Sequence, residues 1–232
     1  MRNMESANNL RCQEHFGDSS ELSEGIKVEL SKLSHKMPEN PAVILLFSGK
    51  RKSGKDYITD LLQSRLDNNV SKIIRLSGPI KQQFALNNNL DYEKLLTASD
   101  YKEKYRLEMI SWSEAKRRKD NGFFIRAAIE MYEGTKYPIW IVSDMRRQSD
   151  LQWFKEHYGN VIYSVRIKAS IETREKRGWI FKPGVDDAES ECDLDNVTDW
   201  DQEINNNTET IEDLDPVLNQ LKNYCISKLK HL

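Results

Sequence analysis

Residues 42–66 read AVILLFSGKRKSGKDYITDLLQSRL, and this stretch decides the fold. Its opening apolar run is typical of a strand that is buried on both faces of a parallel sheet. Apolar side chains then recur at positions 57, 58, 61, 62 and 66, which is the spacing of an amphipathic helix. The loop between them, Gly49-Lys-Arg-Lys-Ser-Gly-Lys55, matches G-x-x-x-x-G-K in the strand–loop–helix context that this pattern requires. The stretch therefore predicts a loop that binds the phosphates of a nucleotide.

The residue types of this loop suit phosphate binding. Gly49 and Gly54 allow the backbone to bend so that successive amide N–H groups point towards phosphate oxygens. The helix N-terminus adds the positive end of its dipole, and Lys55 is expected to bridge the β- and γ-phosphates. The other predicted nucleotide-binding residues of the loop are Lys50, Arg51, Lys52, Ser53 and Asp56.

Two carboxylates are candidate Mg²⁺ ligands. Asp56 stands where the usual pattern has a Ser or Thr hydroxyl that binds the metal. A carboxylate is also a hard oxygen ligand, so Asp56 could bind Mg²⁺ directly or through water, or take over another role. Asp144 follows an apolar run at residues 138–143, and ligands bind at the carboxyl ends of strands in open α/β sheets. The alternative for Asp144 is an N-cap of the helix that comes after it.

Strands and helices alternate along the rest of the chain. The patterns predict strands at 70–76, 138–143, 161–167 and 201–206, and helices at 149–157, 171–177 and 211–229. Residues 80–136 are mostly helical in pattern, with a break at Asn121-Gly122. This alternation predicts an α/β fold in three layers, in which helices flank a parallel sheet. We expect one domain over residues 41–232, preceded by a polar, flexible extension at residues 1–40.

Charge is distributed unevenly along the chain. The formal net charge is only −2, which argues against a nucleic-acid-binding protein. Residues 50–182, however, contain 27 basic and 17 acidic residues. A basic section suggests a cleft that attracts anions, although solvated helix faces explain such a count equally well.

The remaining composition predicts an intracellular, soluble protein. No apolar run approaches the roughly 20 residues that span a bilayer, and the N-terminus lacks a signal-peptide core. The three cysteines (Cys12, Cys192 and Cys225) are far apart, so we expect reduced thiols and no metal site among them. We predict a cytosolic monomer that binds neither nucleic acid nor a membrane. The C-terminal Lys230-His231-Leu232 loosely resembles the peroxisomal tripeptide Ser-Lys-Leu, which makes a peroxisomal address the weaker alternative.

Pairs of arginines suggest where anions bind. Arg146 and Arg147 follow Asp144 and would suit a doubly anionic acceptor, since guanidinium groups bind phosphate and carboxylate with two hydrogen bonds. Arg174 and Arg177 are three residues apart on a predicted helix, as in a lid that brings arginines to a transferring phosphate. The alternatives are a surface pair that makes salt bridges for Arg146 and Arg147, and a solvated basic helix for Arg174 and Arg177. We expect the acidic segment 186–191 to be a flexible lid or a solvated loop that pairs with the lid arginines.

Several longer segments resemble phosphomevalonate kinases of the animal type. They are residues 45–56, Arg75-Leu-Ser-Gly-Pro79, Gly122-Phe-Phe124, Pro138-Ile-Trp-Ile-Val-Ser-Asp144, Arg177-Gly-Trp179 and Pro183-Gly-Val-Asp-Asp-Ala-Glu-Ser-Glu-Cys192. The resemblance implies a fold like that of the nucleoside monophosphate kinases. It also implies transfer of phosphate from ATP, with Mg²⁺, to (R)-5-phosphomevalonate on the mevalonate route to isoprenoids and sterols. Asp after the loop lysine is the form usual in this family.

The resemblance also implies roles for individual residues. Catalytic roles fall on Lys55, Arg146, Lys81, Lys102 and Arg106. Contacts with the acceptor fall on Arg117, Arg126, Arg147 and Asn206. Arg177 would bind ATP, with Arg174 and Arg166 in support, and Asn207 stands where the family has a histidine near the nucleotide.

Two other functions fit part of the sequence. A phosphate-loop kinase for another small anionic acceptor, such as a nucleoside monophosphate, would share the loop and the basic section. A non-catalytic nucleotide sensor or scaffold would keep the fold alone. Lys55 and the arginine pair argue for a catalyst, because a sensor has no use for groups that stabilise a transferring phosphate.

Overall fold

The computed structural model describes residues 41–97, 100–207 and 210–230. The predicted extension at residues 1–40, with Cys12, lies outside the described residues, as do His231 and Leu232 of the C-terminal tripeptide. Within the described ranges, no helix is both long and apolar enough to cross a membrane.

Five parallel strands form the sheet that the alternating pattern predicts. They are β1 (Val43–Gly49), β2 (Ser71–Ile74), β3 (Ile139–Val142), β4 (Ile162–Lys168) and β5 (Gln202–Asn205). Their order across the sheet is β2-β3-β1-β4-β5. In the register of the central strands, Leu46 of β1 lies opposite Val142 of β3 and Ser164 of β4. The carboxyl ends of β1, β2 and β3 therefore meet at one edge, and the predicted site residues follow them.

The helices lie in the segments predicted to be helical and differ at some boundaries, except for the short helix at Glu189–Cys192, which lies in a segment predicted as a lid or loop. They are α1 (Lys55–Arg65), α2 (Ser77–Asn88), α3 (Tyr92–Leu96), α4 (Asp100–Arg117), α5 (Phe123–Met131), α6 (Gln148–Tyr158), α7 (Ile171–Lys176), α8 (Glu189–Cys192) and α9 (Asp215–Leu229). Asn121-Gly122 lies at the predicted break, between α4 and α5. The strand predicted at 70–76 is shorter in the structure, and Ser77-Gly-Pro79 form the first turn of α2, where proline is tolerated.

The two faces of the sheet are buried under different helices. Along β1, Val43, Leu45 and Phe47 pack into one hydrophobic cluster with residues of α1 and α9. Ile44 and Leu46 point to the opposite face and pack with residues of α5 and α6. Side chains of a strand alternate between faces, so a strand buried on both must be apolar throughout, as the sequence of β1 is. The sheet is thus the middle of three layers and holds β1 rigidly.

A smaller cluster joins the helices that follow β2. Phe84, Ala85, Leu95 and Met109 are buried together, and Trp112 meets Phe84 edge-on with ring centroids 5.8 Å apart. The cluster ties α2, α3 and α4 into one unit. That unit carries three of the predicted catalytic cations, Lys81, Lys102 and Arg106.

Candidate active site

The phosphate loop is built from unusual backbone conformations. Lys52 and Gly54 both have left-handed backbones, with φ of 61° and 85°. Such residues turn successive N–H groups towards one centre, which forms a concave anion site. At Gly49, a Cβ atom would lie only 2.8 Å from the carbonyl oxygen of Ile167 on β4, so the loop can leave β1 here only through a glycine. The N–H groups in the first turn of α1 lack acceptors within the helix and complete the site.

Three residues from two other segments of the chain hold the loop through its carbonyl oxygens. Arg174 donates from Nε to the carbonyl oxygen of Arg51 (2.7 Å), and Arg177 donates from Nη1 to that of Ser53 (3.2 Å). Asn206 donates from Nδ2 to the same Ser53 oxygen at 2.8 Å. The predicted lid arginines and Asn206 therefore meet at the phosphate loop. Asn206 therefore contacts the phosphate loop, and its predicted contact with an acceptor stays a prediction.

A cavity of about 450 Å³ opens beside the start of α1. Its lining residues are Gly54, Tyr57, Thr173, Lys176, Arg177, Asn206, Asn207, Thr210 and Leu214. The volume lies within the range of small-molecule sites. Asn207 accepts the N–H of Ser170 on its Oδ1 at 2.7 Å, which fixes the orientation of its side chain. The cavity is the natural place for the base and ribose of a nucleotide whose phosphates reach the loop.

Lys55 and Asp56 form a charged pair at the start of α1. Lys55 is buried, and its Nζ lies 3.2 Å from Oδ1 of Asp56. Burial alone would raise the pKa of Asp56, but the Lys55 charge and its hydrogen bond lower it below the usual value. Asp56 is therefore ionised at neutral pH and offers a hard oxygen close to the phosphate loop.

Asp144 is a buried carboxylate that caps a helix. Its Oδ1 accepts the N–H of Leu76 (2.6 Å) and its Oδ2 accepts that of Ser77 (3.0 Å), at the start of α2. The sequence offered Asp144 as the cap of the helix that follows it. That alternative was wrong, because Asp144 caps α2, which comes before it in the chain. Its charge also acts on Lys81 and Arg146 and favours the charged form of each. Asp144 thus joins β3 to α2 and faces the predicted catalytic cations.

Lys81, Lys102 and Arg106 bring positive charge to the site from α2 and α4. Lys81 donates from Nζ to Ser77 Oγ at 3.0 Å, and burial lowers its pKa. Burial, together with the neighbouring charges of Lys81 and Arg106, lowers the pKa of Lys102 to about 8. Cations that crowd together in this way are destabilised until an anion arrives. The arrangement is that expected of a receptor for a multiply charged anion.

A completely buried carboxylate organises the arginine pair. Asp150 pairs through Oδ1 with Arg117, and its Oδ2 accepts the N–H groups of Arg146 (3.3 Å) and Arg147 (3.2 Å). Arg147 is itself buried and pairs with Glu114 through Nη2. Its Nη1 has no hydrogen-bond partner among the described residues. A buried guanidinium nitrogen without an acceptor needs an explanation, and an anionic ligand supplies one.

Other predicted acceptor residues have protein partners. The Arg117 guanidinium is committed to Asp150 and also packs over the ring of Phe124. Arg126 is largely exposed and pairs with Asp120 in the loop before α5. Their contacts with an acceptor stay predictions. Arg117 shares the Asp150 carboxylate with the backbone of the arginine pair, and Arg126 lies on the protein surface.

The acidic segment differs most from its prediction. We expected residues 186–191 to be a flexible lid or a solvated loop, yet Asp186 and Glu191 are both buried. Asp186 lies 3.5 Å from Nε of Arg51, and Glu191 contacts both Arg51 and Arg146. The periodicity of the sequence could not reveal this, because the partners are more than 40 residues away along the chain.

Two more charged residues were missed from the sequence. Arg75 follows β2, pairs with Asp60 at 3.0 Å, and acts electrostatically on Asp56 and Lys81. Asp195 pairs with both Lys50 and Arg166 and so fixes the first lysine of the phosphate loop. The position of Arg75 at the carboxyl end of a predicted strand was a usable signal, whereas Asp195 had none.

Known proteins are similar to this chain in sequence and in fold. A family model described as "Phosphomevalonate kinase" matches residues 47–160. A curated relative, "Phosphomevalonate kinase" of Drosophila melanogaster, is 44% identical over 183 residues, which cover 77% of this chain and 96% of the relative. The crystal structure of TT1252 from Thermus thermophilus matches with a TM-score of 0.50 and 17% identity, covering 80% of this chain and 98% of that one. A gluconokinase from Sinorhizobium meliloti 1021 matches with a TM-score of 0.42 and 11% identity, covering 84% and 94% of the two chains.

The crowding of cations predicts an unusual titration. In the ligand-free protein labelled with ¹³C at lysine Cε, we expect one lysine resonance to titrate with a midpoint near pH 8, because burial and like charges lower the pKa of Lys102 to about 8. NMR titration of the wild type and of Lys102→Arg measures this. The low-titrating resonance should vanish in the variant. Its persistence there, or the absence of any such resonance in the wild type, would contradict the assignment.

Proposed function

The chain belongs to the phosphomevalonate kinase family, and we propose that it transfers the γ-phosphoryl group of ATP to (R)-5-phosphomevalonate, giving ADP and (R)-5-diphosphomevalonate. The observation that carries this proposal is the pairing of two anion sites at one sheet edge. The phosphate loop with Lys55 forms one of them. Buried Arg147, with an Nη1 atom that has no partner among the described residues, belongs to the other. Such a pair suits a donor and an acceptor that are both phosphates.

The acceptor is a good nucleophile without help from a base. The second pKa of a phosphate monoester is about 6, so its oxygen is largely ionised at neutral pH. That oxygen attacks the γ-phosphorus, the bond from the γ-phosphorus to the β–γ bridging oxygen breaks, and ADP leaves with the electron pair. No proton has to move in this step. The obstacle is the repulsion between two anions, so positioning and charge neutralisation are the tasks of the protein.

The charged residues divide this task between the two substrates. On the donor side, the amides of the phosphate loop and Lys55 bind the β- and γ-phosphates. The charge of Arg146 lowers the pKa of Asp56 at the loop, and the charge of Asp56 favours the protonated form of Lys81. We therefore place Arg146 and Lys81 between the two sites. On the acceptor side, Lys102 and Arg147 bind the phosphate and carboxylate of phosphomevalonate. A guanidinium group suits either of these anions.

Mg²⁺ is expected to accompany the triphosphate, and the residues present fit it. Within the described ranges there is no group of three or more acidic, His or Cys side chains that could hold a metal by themselves. In kinases Mg²⁺ is usually held by one or two carboxylates together with phosphate oxygens and water. Asp56, ionised beside Lys55, would be the direct or water-mediated ligand, and Asp144 is the second candidate. When bound, Mg²⁺ neutralises charge on the transferring phosphate.

The lid, which we define as residues 171–192, covers the donor site and reaches the acceptor unit. Arg174 and Arg177 hold the loop carbonyls, and Lys182 lies 2.6 Å from Glu103 on α4. Glu103 also pairs with Arg106 through its other oxygen. These contacts link the lid to both sides of the site, and a lid in this place would exclude water and limit hydrolysis of ATP.

The test of this function is ADP release in a coupled assay with Mg-ATP. Phosphomevalonate, 5′-AMP and mevalonate serve as acceptors, with a reaction lacking acceptor as the blank. Release that depends on phosphomevalonate alone supports the proposal. Release with 5′-AMP would instead favour a nucleotide kinase, and no release with any acceptor would favour a nucleotide sensor.

Lys55→Met should lose about 10²–10³-fold in kcat, equivalent to about 2.7–4 kcal/mol, because the transferring phosphate loses its main charge partner. The side chain is similar in length and apolar, so the melting temperature should change little. Lys136→Met is the matched control, since Lys136 is exposed and pairs only with nearby Glu133 among the contacts described. A folded Lys55→Met variant with near-normal kcat would refute the assignment.

Arg147→Lys should raise KM for the acceptor by about tenfold or more and leave KM for ATP within about threefold, because lysine cannot form a bidentate pair. The lysine keeps a cation for Glu114, which protects the fold. Arg118→Ala, at an exposed arginine, is the control. Steady-state kinetics with each substrate varied in turn give both constants. Equal effects on the two KM values would show that Arg147 does not distinguish the acceptor.

A further inference from the structure

Glu191 joins two parts of the site that are far apart in sequence. It lies on α8, at the end of the lid, and its side chain is buried. Its Oε2 accepts the backbone N–H of Arg51 in the phosphate loop at 2.9 Å. Its Oε1 pairs with Nη1 of Arg146, which also donates to the carbonyl oxygen of Ser190 at 3.4 Å. One carboxylate therefore holds the loop of the donor site and the arginine that stands between donor and acceptor.

The contact with Glu191 orients the Arg146 guanidinium, which has few other hydrogen bonds. The backbone of Arg146 is fixed by Asp150, but its guanidinium lies at the end of a long, flexible side chain. A charge-assisted hydrogen bond from a buried carboxylate is stronger than a neutral one and restricts such a side chain to one direction. Catalysis depends on charged groups that are already in place when the substrates bind.

The same geometry allows a different interpretation, in which Glu191 stands in for a phosphate and blocks the site. The loop argues against it. The left-handed residues that form the anion site, Lys52 and Gly54, come after Arg51 in the chain. Glu191 therefore engages an N–H group at the entrance of the loop. The N–H groups in the first turn of α1 stay directed at the phosphates.

We propose that Glu191 is a positioning residue for phosphoryl transfer: its carboxylate fixes the Arg146 guanidinium relative to the phosphate loop. The proposal rests on the proposed function, because it gives Arg146 a part in the transfer. Glu191 touches neither substrate and acts through Arg146. Its effect should therefore appear in kcat and depend on the presence of Arg146.

A double-mutant cycle tests this dependence. Glu191→Gln keeps the size of the side chain and removes its charge, and Arg146→Ala removes the partner. Both are measured alone and together for kcat, both KM values and melting temperature. Glu189→Gln is the matched control, because Glu189 is an exposed glutamate in the same short helix. Glu191→Asp retains the charge but is one methylene too short to reach both partners, which provides a second variant if Glu191→Gln folds poorly.

The expected result is a loss of about tenfold or more in kcat for Glu191→Gln in the Arg146 background, and less than about twofold in the Arg146→Ala background. Glu191→Asp should fall between the wild type and Glu191→Gln, and Glu189→Gln should match the wild type. The same fold loss in both backgrounds would overturn the proposal, because it would show a role independent of Arg146. An unchanged kcat, or a faster variant with a lower KM for ATP, would overturn it as well.

Failure of this inference can be told apart from failure of the proposed function. The wild type is assayed first with phosphomevalonate. Turnover by the wild type combined with an additive cycle rejects only the role of Glu191. Without turnover the proposed function fails, and the cycle is then measured on the affinity for a fluorescent ATP analogue. A non-additive effect of the two substitutions on this affinity would support the positioning of Arg146 by Glu191. Additive effects would reject it.

Discussion

The phosphate loop leaves β1 at Gly49, where a Cβ atom would come within 2.8 Å of the Ile167 carbonyl oxygen on β4. This close contact between two neighbouring strands fixes where the chain can turn. It also places the loop and the start of α1 at the carboxyl edge of a sheet whose central strand is buried on both faces. The residues that follow β2 and β3 reach the same edge, because all five strands are parallel. The position of every charged group in the site depends on this arrangement.

The basic residues of the site are paired with carboxylates from elsewhere in the chain. Asp150 holds Arg117 and the backbone of the arginine pair, Asp195 holds Lys50, and Glu103 holds Arg106. Such pairing offsets the cost of gathering like charges in a partly buried place. Burial, together with the charges of Lys81 and Arg106, still lowers the pKa of Lys102 to about 8. The fold can therefore be stable without its ligands and still favour the binding of two anions.

The sequence predicted the parts of this arrangement that depend on local pattern. The apolar run of β1, the phosphate loop and the helical spacing of α1 are all local, and each was found where it was expected. The burial of Asp186 and Glu191 was not predicted, since a run of acidic residues looks solvated unless its distant partners are known. The capping of α2 by Asp144 was missed for the same reason, because the two lie 67 or 68 residues apart in the chain. The roles of individual site residues, the monomeric state and the cellular compartment stay predictions.

The account depends on direct transfer between two bound phosphates, and ³¹P NMR of a single reaction mixture tests this most directly. Enzyme, Mg-ATP and phosphomevalonate are mixed and followed until ATP is consumed. We predict that the monophosphate singlet of the acceptor is replaced by the two doublets of a diphosphate ester, in equal amount to the ADP that forms. A signal from inorganic phosphate together with an unchanged acceptor singlet would show hydrolysis of ATP without transfer, and would contradict the account.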